Sequence, residues 1–466
     1  MSVGTADRAA LEYQDDERVG PAAAQRSNTP LVVSGALAAV LLGAAVGTGY
    51  WVYAAAAVAA IGAAVVSTRS RLGFLNLLVL APFIESLAVG PVTIGRLLAG
   101  LSAVVLLVLL ATGRLRIPRF PVVTWLPATG FVLLVVASGL WASDASGWLF
   151  AIGQAGLAVL FFAAFALLVR TPEQIAVLLR VYVCGSVFAA LYGLAQAATT
   201  ARAEGLQGDA NIYAMYQVAA LPAALALASR TSGVRKLLWL ASMLPITASV
   251  LFSQSRGAYV AFIVTTLVVA LLHERRRLVV PVALGAAAAL GLATTLFGDR
   301  YSVEGVADDR ASGRIDIWLV AWHAFLDHPW TGIGAGNFVG QSIDRLTTEP
   351  GVELVKSHLF TGQGIEVHNI YLEGLAERGV FGLVTLVVFL LATLYGLAVA
   401  ATRYRTPVVT ALVPMLVAFS VAAFFLSVPN SKLLWMLAGL AAALLAVRAS
   451  GPDPAPSPDT QPRSLP

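Results

Sequence analysis

The side chains best suited to chemistry lie in short polar motifs of an otherwise apolar chain. The longest polar interruption runs from Gly298 to His368 and contains Arg314. A further motif, Ser253-Gln254-Ser255-Arg256-Gly257, precedes it. A guanidinium group can bind two phosphate oxygens in a planar fork, and a neutral imidazole can accept a proton near pH 7. These residue types favour chemistry on a phosphate-activated group.

Both arginines have two interpretations. Arg256 either anchors a helix at the membrane boundary through its long stem or, as we favour beside small hydroxyl residues, binds phosphate oxygens. Arg314 either pairs with Asp316 or a lipid phosphate, or supplies a second cation for the same anion. In the latter role it is helped by the positive end of the helix that it begins.

His368 is a candidate general base, although a lone histidine at a membrane interface is more often a hydrogen-bonded structural residue. Imidazole titrates near pH 6.5 and can therefore take up a proton at neutral pH. The following Asn369 either orients the ring or caps the next helix. On that helix, Glu373 and Glu377 lie one turn apart, and polar pairing within the bundle is their simplest role. Asp209, with Asn211 two residues later, opens a central span, where helix capping is the simplest role.

Two arginines and a histidine on one side of a membrane suggest a definite reaction. A diphosphate leaving group already carries its charge and can depart without a metal ion when cations hold it. A neutral histidine can then deprotonate a sugar hydroxyl that attacks the anomeric carbon, and transmembrane walls accommodate a lipid tail. The sequence predicts no metal site, because Cys184 is the only cysteine. In addition, His323, His328 and His358 have no second ligand at a suitable helical spacing, apart from Asp327 near His323.

These residues must be positioned by helices that cross a membrane. Of 466 residues, 58% are hydrophobic and only 12% are charged, and mean hydropathy is +0.82. Soluble domains carry about 25% charged residues. Repeated apolar runs near the ~20 residues needed to cross a bilayer predict an all-α, polytopic transmembrane bundle with about 12–14 spans. The basic residues are spread among short loops, so we expect no nucleic acid among the partners.

The apolar segments give the positions of the spans. They are 31–49, 51–67, 73–90, 93–112, 122–141, 148–169, 175–198, 209–229, 236–252, 257–273, 278–297, 371–400, 406–427 and 432–448. The segment 73–90 is the weakest. Because it contains Pro82 and Glu85, we expect it to be broken or partly interfacial.

Basic loops give the predicted orientation. Clusters such as Arg114/Arg116/Arg119 and Arg275/Arg276/Arg277 follow even-numbered spans, so the positive-inside rule places these loops and both termini in the cytoplasm. The candidate residues then share the external face. The predicted segments are a disordered cytoplasmic tail over 1–30, a transmembrane bundle over 31–297, a large external loop over 298–370, transmembrane helices over 371–448 and a disordered cytoplasmic tail over 449–466.

The external loop has a predicted internal structure. Its apolar residues Ile315, Trp318, Leu319, Trp322 and Phe325 stand at helical spacing, which predicts an amphipathic helix over 314–326 lying on the membrane surface. Pro329 then ends this helix. The glycines that follow, at 332, 334 and 336, predict a tight turn.

Four motifs in order resemble the O-antigen ligase and polymerase superfamily of bacterial membrane glycosyltransferases. The first two motifs are Gly208-Asp209-Ala210-Asn211 and Ser253-Gln254-Ser255-Arg256-Gly257. The third begins with Ser312-Gly313-Arg314 and Trp318 and continues with Pro329 and Gly332-Ile333-Gly334-Ala335-Gly336. The fourth is His368-Asn369-Ile370-Tyr371-Leu372. Each motif is weak alone, but four in order with a matching topology are fairly specific. The resemblance covers roughly residues 140–400.

This resemblance implies an activity and a set of partners. Members of that family catalyse a metal-independent, inverting transfer of glycan from undecaprenyl diphosphate. They use no cofactor and act on the outer face of the bacterial inner membrane. The acceptor is lipid A-core in ligases and another lipid-linked glycan in polymerases. By similarity, Arg256 and Arg314 bind the diphosphate and His368 is the catalytic residue. Residues in supporting positions are Asn211, Asp316, Asn369, Tyr371 and Glu373.

Two other functions compete with this interpretation. A polysaccharide or lipid transporter predicts paired halves and charges within spans, whereas the spans here are nearly free of charge, with Glu85, Arg96 and Arg180 as exceptions. A protein O-oligosaccharyltransferase shares the chemistry but requires a different acceptor. The short C-terminal tail lacks the extra external domain of some protein-glycosylating relatives, which weighs against that activity. A separate departure from the family pattern is the predicted number of spans, which exceeds the usual number of about twelve.

Overall fold

A computed structural model describes residues 70–272, 313–353 and 364–446, apart from positions 86, 90, 91, 116 and 201, together with residue 285. The two predicted tails, the predicted spans 31–49, 51–67 and 278–297, and the residues Ser312 and His358 lie outside the described residues. The described residues belong to one unit, Val66–Pro466. Their architecture is helical, and the predicted all-α polytopic class is confirmed.

The helices are numbered here in chain order. In the described ranges they are α1 (Arg71–Leu80), α2 (Ile94–Ala111), α3 (Val122–Ala137), α4 (Ala145–Leu168), α5 (Pro172–Thr200), α6 (Ala210–Ser229), α7 (Gly233–Phe252), α8 (Arg256–Leu272), α9 (Arg314–Asp327), α10 (Phe338–Thr348), α11 (Ile370–Tyr404), α12 (Pro407–Thr410), α13 (Leu412–Ala422) and α14 (Lys432–Ala446). Short 3₁₀ turns occupy Ala81–Ile84, Ser138–Leu140 and Ala423–Phe425.

Seven segments among the described residues are long and apolar enough to cross a membrane. They are Val122–Leu140, Ala145–Leu168, Pro172–Thr200, Ala210–Ser229, Gly233–Phe252, Ile370–Tyr404 and Pro407–Phe425. Four shorter apolar helices are Arg71–Ile84, Arg96–Ala111, Arg256–Leu272 and Lys432–Ala446. Each predicted span that falls on described residues overlaps one of these helices.

The weakest predicted span, 73–90, is interrupted where the sequence suggested. Helix α1 ends at Leu80, and the chain continues as a 3₁₀ turn with Pro82 in its first positions. An antiparallel pair of two-residue strands, Ala88–Val89 and Val92–Thr93, then leads into α2. Glu85, one of the few charges in a predicted span, forms an ion pair with Lys432 at the start of α14.

Helix α14 lies in the interior of the bundle. Every residue from Leu433 to Ala446 is buried. Its Trp435 is fully buried, with ring centroids 4.9 Å from Phe389 and 6.1 Å from Phe131, and the indole N–H donates to the Pro429 carbonyl at 3.1 Å. Aromatic packing of this kind adds about 0.5–1.5 kcal/mol per pair beyond the burial of area. The helix therefore links α3, α4 and α11 into one core.

Helix α11 is broken at Gly379, where the sequence predicted one continuous span over 371–400. Gly379 has φ +63° and ψ −159°, far from helical values. The backbone groups near the break bond to residues 328–338, which we call the wedge segment. Val380 N–H donates to Pro329 at 2.8 Å, while Ala376 and Glu377 carbonyls accept from wedge amides at 3.0 and 2.8 Å. A helix in a membrane can break only where other protein groups satisfy its backbone, and the wedge segment does so.

Close approach explains the glycines of the wedge segment. Gly332 has φ +64°, and a Cβ there would collide with the backbone of Glu377 and Arg378. A Cβ on Gly379 would collide in turn with the backbone of Trp330. The predicted tight turn is present, since the three wedge glycines all have positive φ. The turn lets two backbones touch, which only residues without a Cβ permit.

Asn337 fixes the other side of the wedge segment to the turn between α3 and α4. Its side-chain oxygen accepts from the Asp144 amide at 2.7 Å and the Ser143 hydroxyl at 3.1 Å. Its nitrogen donates to the carbonyls of Asp144 at 3.2 Å and Ala335 at 3.1 Å. Asn337 is fully buried, so this set of bonds strongly stabilises one position of the segment.

Helix α9 forms where predicted, and one of its faces packs against protein. Its buried residues are Asp316, Ile317, Val320, Ala321 and Ala324, and the four apolar ones pack in a small core with the wedge segment, α10 and α11. Other protein groups leave Ile315 and Trp322 of the predicted apolar face 42% and 44% exposed, and the position of this face on the membrane surface stays a prediction. The apolar residues of α9 extend around more than one face, and the smaller ones allow the closer approach to α11.

Candidate functional site

The elements that carry the three predicted catalytic residues meet around Phe425 and Ser427. The helix that Arg256 begins packs on Phe425, since a Cβ added to Gly257 would lie 2.6 Å from that ring. The Arg314 guanidinium carbon lies 6.0 Å from the same ring's centroid. The Ser427 hydroxyl accepts the His368 amide at 2.9 Å. Three positions spread over more than a hundred residues of sequence thus share one neighbourhood.

The backbone of His368 is held on both sides in an uncommon conformation. His368 has φ +55°, in the left-handed region that few residues other than glycine adopt. Its amide is bound by Ser427, and the preceding Val367 carbonyl accepts the Trp318 indole N–H at 3.1 Å. Trp318 also packs edge-on against Phe424, with ring centroids 5.8 Å apart. Such local strain is found mainly at functional sites.

The surroundings of the His368 imidazole limit its contact with solvent and favour its uncharged form. Its Nδ1 atom is buried and has no hydrogen-bond partner among the described residues. Burial lowers the pKa of His368, the charge of Arg314 lowers it further, and the charge of Asp209 partly opposes them. The ring is therefore neutral at pH 7 and can accept a proton.

Asp209 has two effects on this site. Its carboxylate caps α6 by accepting the amides of Asn211 at 2.7 Å and Ile212 at 2.8 Å, which is the capping role the sequence suggested. The same carboxylate is close enough to influence the pKa of His368. The predicted supporting residue Asn211 is half-buried in the first turn of α6. The motif at the start of α6 therefore borders the site.

Asn369 caps α11, which decides between its two predicted roles. Its side-chain oxygen accepts the amides of Tyr371 at 3.0 Å and Leu372 at 3.1 Å. The Tyr371 hydroxyl donates to the Ser420 carbonyl at 2.9 Å, which ties the start of α11 to α13. These two predicted supporting residues thus fix the start of α11, which follows directly after His368 and Asn369.

The acidic supporting residues differ in their surroundings. Asp316 is fully buried and accepts the Glu353 amide at 3.3 Å, so it holds the chain after α10 against α9. Glu373 is half-buried and its Oε2 atom has no hydrogen-bond partner among the described residues. Glu377 accepts the Phe338 amide at 3.3 Å, while the neighbouring Arg378 lies over the Phe131 ring at 5.0 Å.

The turn before Arg256 is shaped by its own hydroxyl groups. Gln254 has φ +53°. The Ser253 hydroxyl donates to the Val250 carbonyl at 2.6 Å, and the Ser255 hydroxyl accepts the Ala258 amide at 3.3 Å. Arg202 Nε donates to the Ser253 carbonyl at 2.7 Å. The small residues of this motif therefore end α7 and begin α8, and in doing so they place the first turn of α8 beside Phe425.

Glu366 is a titratable residue near the site that the sequence argument missed. Its side chain as a whole is exposed, yet the protein around its carboxylate limits the hydration of that group. This desolvation, reinforced by the negative charges of Asp209 and Glu377, raises the pKa of Glu366 to about 7. The sequence offered one indication that Glu366 lies near the site, namely its position two residues before His368. Phe425 and Ser427 gave no signal, because they lie at the end of an ordinary apolar span.

Metal ligands are not gathered in the part of the chain that the structure describes, where no three His, Cys, Asp or Glu side chains are grouped. His323 instead contacts Glu349, with Nδ1 and Oε2 3.0 Å apart. Arginines, a neutral histidine and carboxylates are thus the ionisable groups available around Phe425 and Ser427.

Comparison with known proteins identifies the central part of the chain. A family model described as O-Antigen ligase matches residues 240–387, which include Arg256, Arg314 and His368. The resemblance suggested by the sequence motifs is thereby confirmed. A search of curated proteins gave no match. The family match supports a ligase-like or polymerase-like role in glycan assembly at a membrane.

Proposed function

From the membership of residues 240–387 in the O-antigen ligase family, we propose that this multi-pass membrane protein transfers a glycan from undecaprenyl diphosphate to an acceptor. The acceptor is lipid A-core if the protein is a ligase and a second lipid-linked glycan if it is a polymerase. The reaction takes place on the outer face of a bacterial inner membrane, with both chain termini in the cytoplasm. It requires neither a metal ion nor a cofactor.

The meeting of Arg314, the start of α8 and the backbone of His368 around Phe425 and Ser427 supports this proposal above all. The guanidinium groups of Arg256 and Arg314 hold the diphosphate and stabilise the negative charge that the leaving group retains. The Phe425 ring next to Arg314 leaves fewer water molecules to compete for the anion. Cations in such surroundings interact more strongly with phosphate than they do in bulk water.

His368 acts as the general base in a single displacement. An acceptor hydroxyl loses its proton to the imidazole while its oxygen forms a bond to the anomeric carbon. The bond from that carbon to the diphosphate oxygen breaks, and the leaving group takes the bonding electrons. Attack opposite the leaving group inverts the configuration. The lowered pKa of His368 supports this role, because only the neutral ring accepts a proton.

Glycan transfer by the purified full-length protein tests the assignment. With an undecaprenyl-diphosphate-linked glycan as donor, we expect transfer to continue in excess EDTA. Arg256→Lys and Arg314→Lys should each lose most of the activity at normal expression, because lysine keeps the charge but not the planar fork. The matched control is Arg235→Lys, an exposed residue of α7, which should keep wild-type activity.

Three results would contradict the proposal. Activity that EDTA abolishes and Mg²⁺ restores would overturn the arginine scheme. An active Lys variant would show that the arginine concerned is an anchor or a point charge. Movement of intact lipid-linked glycan across vesicles, without any new glycosidic bond, would instead identify a transporter.

A further inference from the structure

A second polar site lies at the far end of α9 from Arg314. A cleft of about 160 Å³ opens between the wedge segment, α10 and the turn between α3 and α4. Its lining includes Trp141, Ser143, His328, Thr331, Gln341 and Arg345. Liquid water occupies about 30 Å³ per molecule, so the cleft has room for roughly five waters or one compact polar group.

We propose that this cleft binds one neutral sugar residue of an extended glycan chain, as a subsite remote from the reacting bond. The inference rests on the proposed function, since it takes glycan as the ligand. The 14 residues of α9 separate Arg314 from His328. At 1.5 Å per residue, this helix is about 20 Å long, so a ligand that reaches both ends is an oligomer.

The charges around the cleft favour a neutral ligand. Arg345 Nη1 donates to Asp327 Oδ2 at 2.8 Å and to Glu349 Oε1 at 3.0 Å. Its Nε donates to Gln341 Oε1 at 3.2 Å. Two carboxylates therefore outweigh the one guanidinium, and a phosphate would meet net negative charge. Sugar hydroxyls both donate and accept hydrogen bonds and carry no charge, so they suit these partners better.

The polar and aromatic groups of the cleft are already held in place. Trp141 donates its indole N–H to the Thr331 carbonyl at 3.0 Å, which fixes the plane of a ring that is only half-buried. Gln341 Nε2 donates to the Ser143 hydroxyl at 3.1 Å. A fixed indole offers a large contact area at little cost in conformational entropy. Such preorganisation increases affinity without further contacts.

His328 supplies the exposed polar group at the mouth of the cleft. It follows the last residue of α9, and its backbone is fixed by the bond from its amide to Phe325 at 3.1 Å. Its side chain is exposed, so substitution should leave the fold intact. The ring can donate to one sugar hydroxyl and accept from another.

The test compares variants of the full-length protein in detergent. The probes are oligosaccharides released by mild acid from the host's own surface polysaccharide and separated into single-repeat and long fractions. In calorimetric titration, His328→Ala and Trp141→Phe should each weaken binding of the long fraction by about tenfold. The matched control is Trp330→Phe, a 63% exposed aromatic on the same segment that does not line the cleft, and it should bind as wild type does.

Transfer assays then show which substrate carries the sugar. A single-repeat donor with a single-repeat acceptor should react equally well in all variants, because neither reaches the cleft. If the glycan belongs to the donor, the two cleft variants raise KM only for long donors. If it belongs to the acceptor, they raise KM only for long acceptors. Either pattern supports the subsite.

Several results would overturn the inference. They are unchanged binding by both cleft variants, an equal loss in Trp330→Phe, or competition by inorganic phosphate, which would identify an anion site. Failure of the proposed function is distinguishable, because it would appear as the absence of transfer by the wild-type protein. The calorimetric comparison needs no transfer and therefore tests the cleft by itself.

Discussion

At the scale of single residues, the structure separates groups that act on a ligand from groups that hold them. Asn369 and the serines around Arg256 bond to backbone amides or carbonyls. The imidazole Nδ1 of His368, by contrast, is buried without a hydrogen-bond partner among the described residues. A neutral ring nitrogen that bonds to no protein group can accept a proton from a ligand.

Removal of the imidazole gives the first prediction. His368→Ala should reduce turnover by about 10²–10⁴-fold, the usual contribution of a positioned proton acceptor, while donor binding changes little. His368→Gln should not restore the rate, although glutamine can form hydrogen bonds. Rates and donor affinity measured on one lipid-linked donor check both statements. An active Gln variant would show that His368 only supports the loop.

The pH dependence gives a second prediction, which distinguishes His368 from Glu366. Because burial and Arg314 lower the pKa of His368, activity should persist as the pH falls to 6.5 and decline only below it, when the ring becomes protonated. Burial and neighbouring carboxylates raise the pKa of Glu366 to about 7, so a glutamate base would lose activity already near that pH.

The matched variant is Glu366→Gln, which removes the titrating carboxyl and keeps its size. We expect the turnover of this variant to lie within about tenfold of wild type, because it keeps the positioned base. Its acid limb should stay in place. A wild-type limb near pH 7 that disappears in Glu366→Gln would assign the proton transfer to Glu366 instead.

At the scale of elements, the wedge segment and the broken helix α11 depend on one another. The break exposes backbone groups that the wedge segment satisfies, and the wedge segment is fixed on its other side by Asn337. The wedge also places α9 against α11, and α9 carries both Arg314 and Trp318. Disturbing the backbone contacts between the wedge segment and α11 should therefore reduce stability and activity together, whereas substitution of exposed wedge side chains should not.

Substitution of one wedge glycine tests this dependence. Gly332→Ala places a Cβ against the Glu377–Arg378 backbone at φ +64°, so we expect it to destabilise the fold by about 2 kcal/mol or more. The control is Gly340→Ala in α10, where the nearest atom, Asp144 Oδ2, is 3.7 Å away. In a helix this change should be neutral or stabilise by up to ~1 kcal/mol. Thermal unfolding in detergent compares the two, and equal midpoints would contradict the wedge role.

At the scale of the whole molecule, the candidate site and the basic loops should lie on opposite sides of the membrane. The part of α11 after the break, from Val380 to Tyr404, is about 37 Å long at 1.5 Å per residue, more than the ~30 Å hydrocarbon core. This length is sufficient for its two ends to reach different aqueous phases. The positive-inside rule predicts that the far end, close to Arg403 and Arg405, is cytoplasmic.

Reporter fusions test this arrangement directly. A fusion at Thr347, in α10, should read external, and a fusion at Arg405 should read cytoplasmic. A fusion at Arg235, in the basic cluster at the start of α7, is the control and should agree with Arg405. If Thr347 and Arg405 gave the same side, the external position proposed for the site would be wrong.

The amino-acid sequence by itself determined the properties that depend on local composition. Apolar runs of sufficient length fix spanning helices because the cost of burying backbone in lipid acts on each segment independently. The interruption at Pro82 and the helix caps at Asp209 and Asn369 follow from residue types that act over one turn. The motifs also indicated the resemblance to the O-antigen ligase family, whose model matches residues 240–387.

Only the tertiary structure decided which distant groups meet. The packing of Phe425 beside Arg314 and the helix of Arg256, and the bond from His368 to Ser427, join residues whose sequence neighbours give no sign of contact. The break at Gly379 was missed for the same reason. Its helix is apolar and continuous in sequence, and the segment that satisfies its backbone lies about forty residues earlier. Such pairings depend on shape complementarity between elements, which periodicity along the chain does not encode.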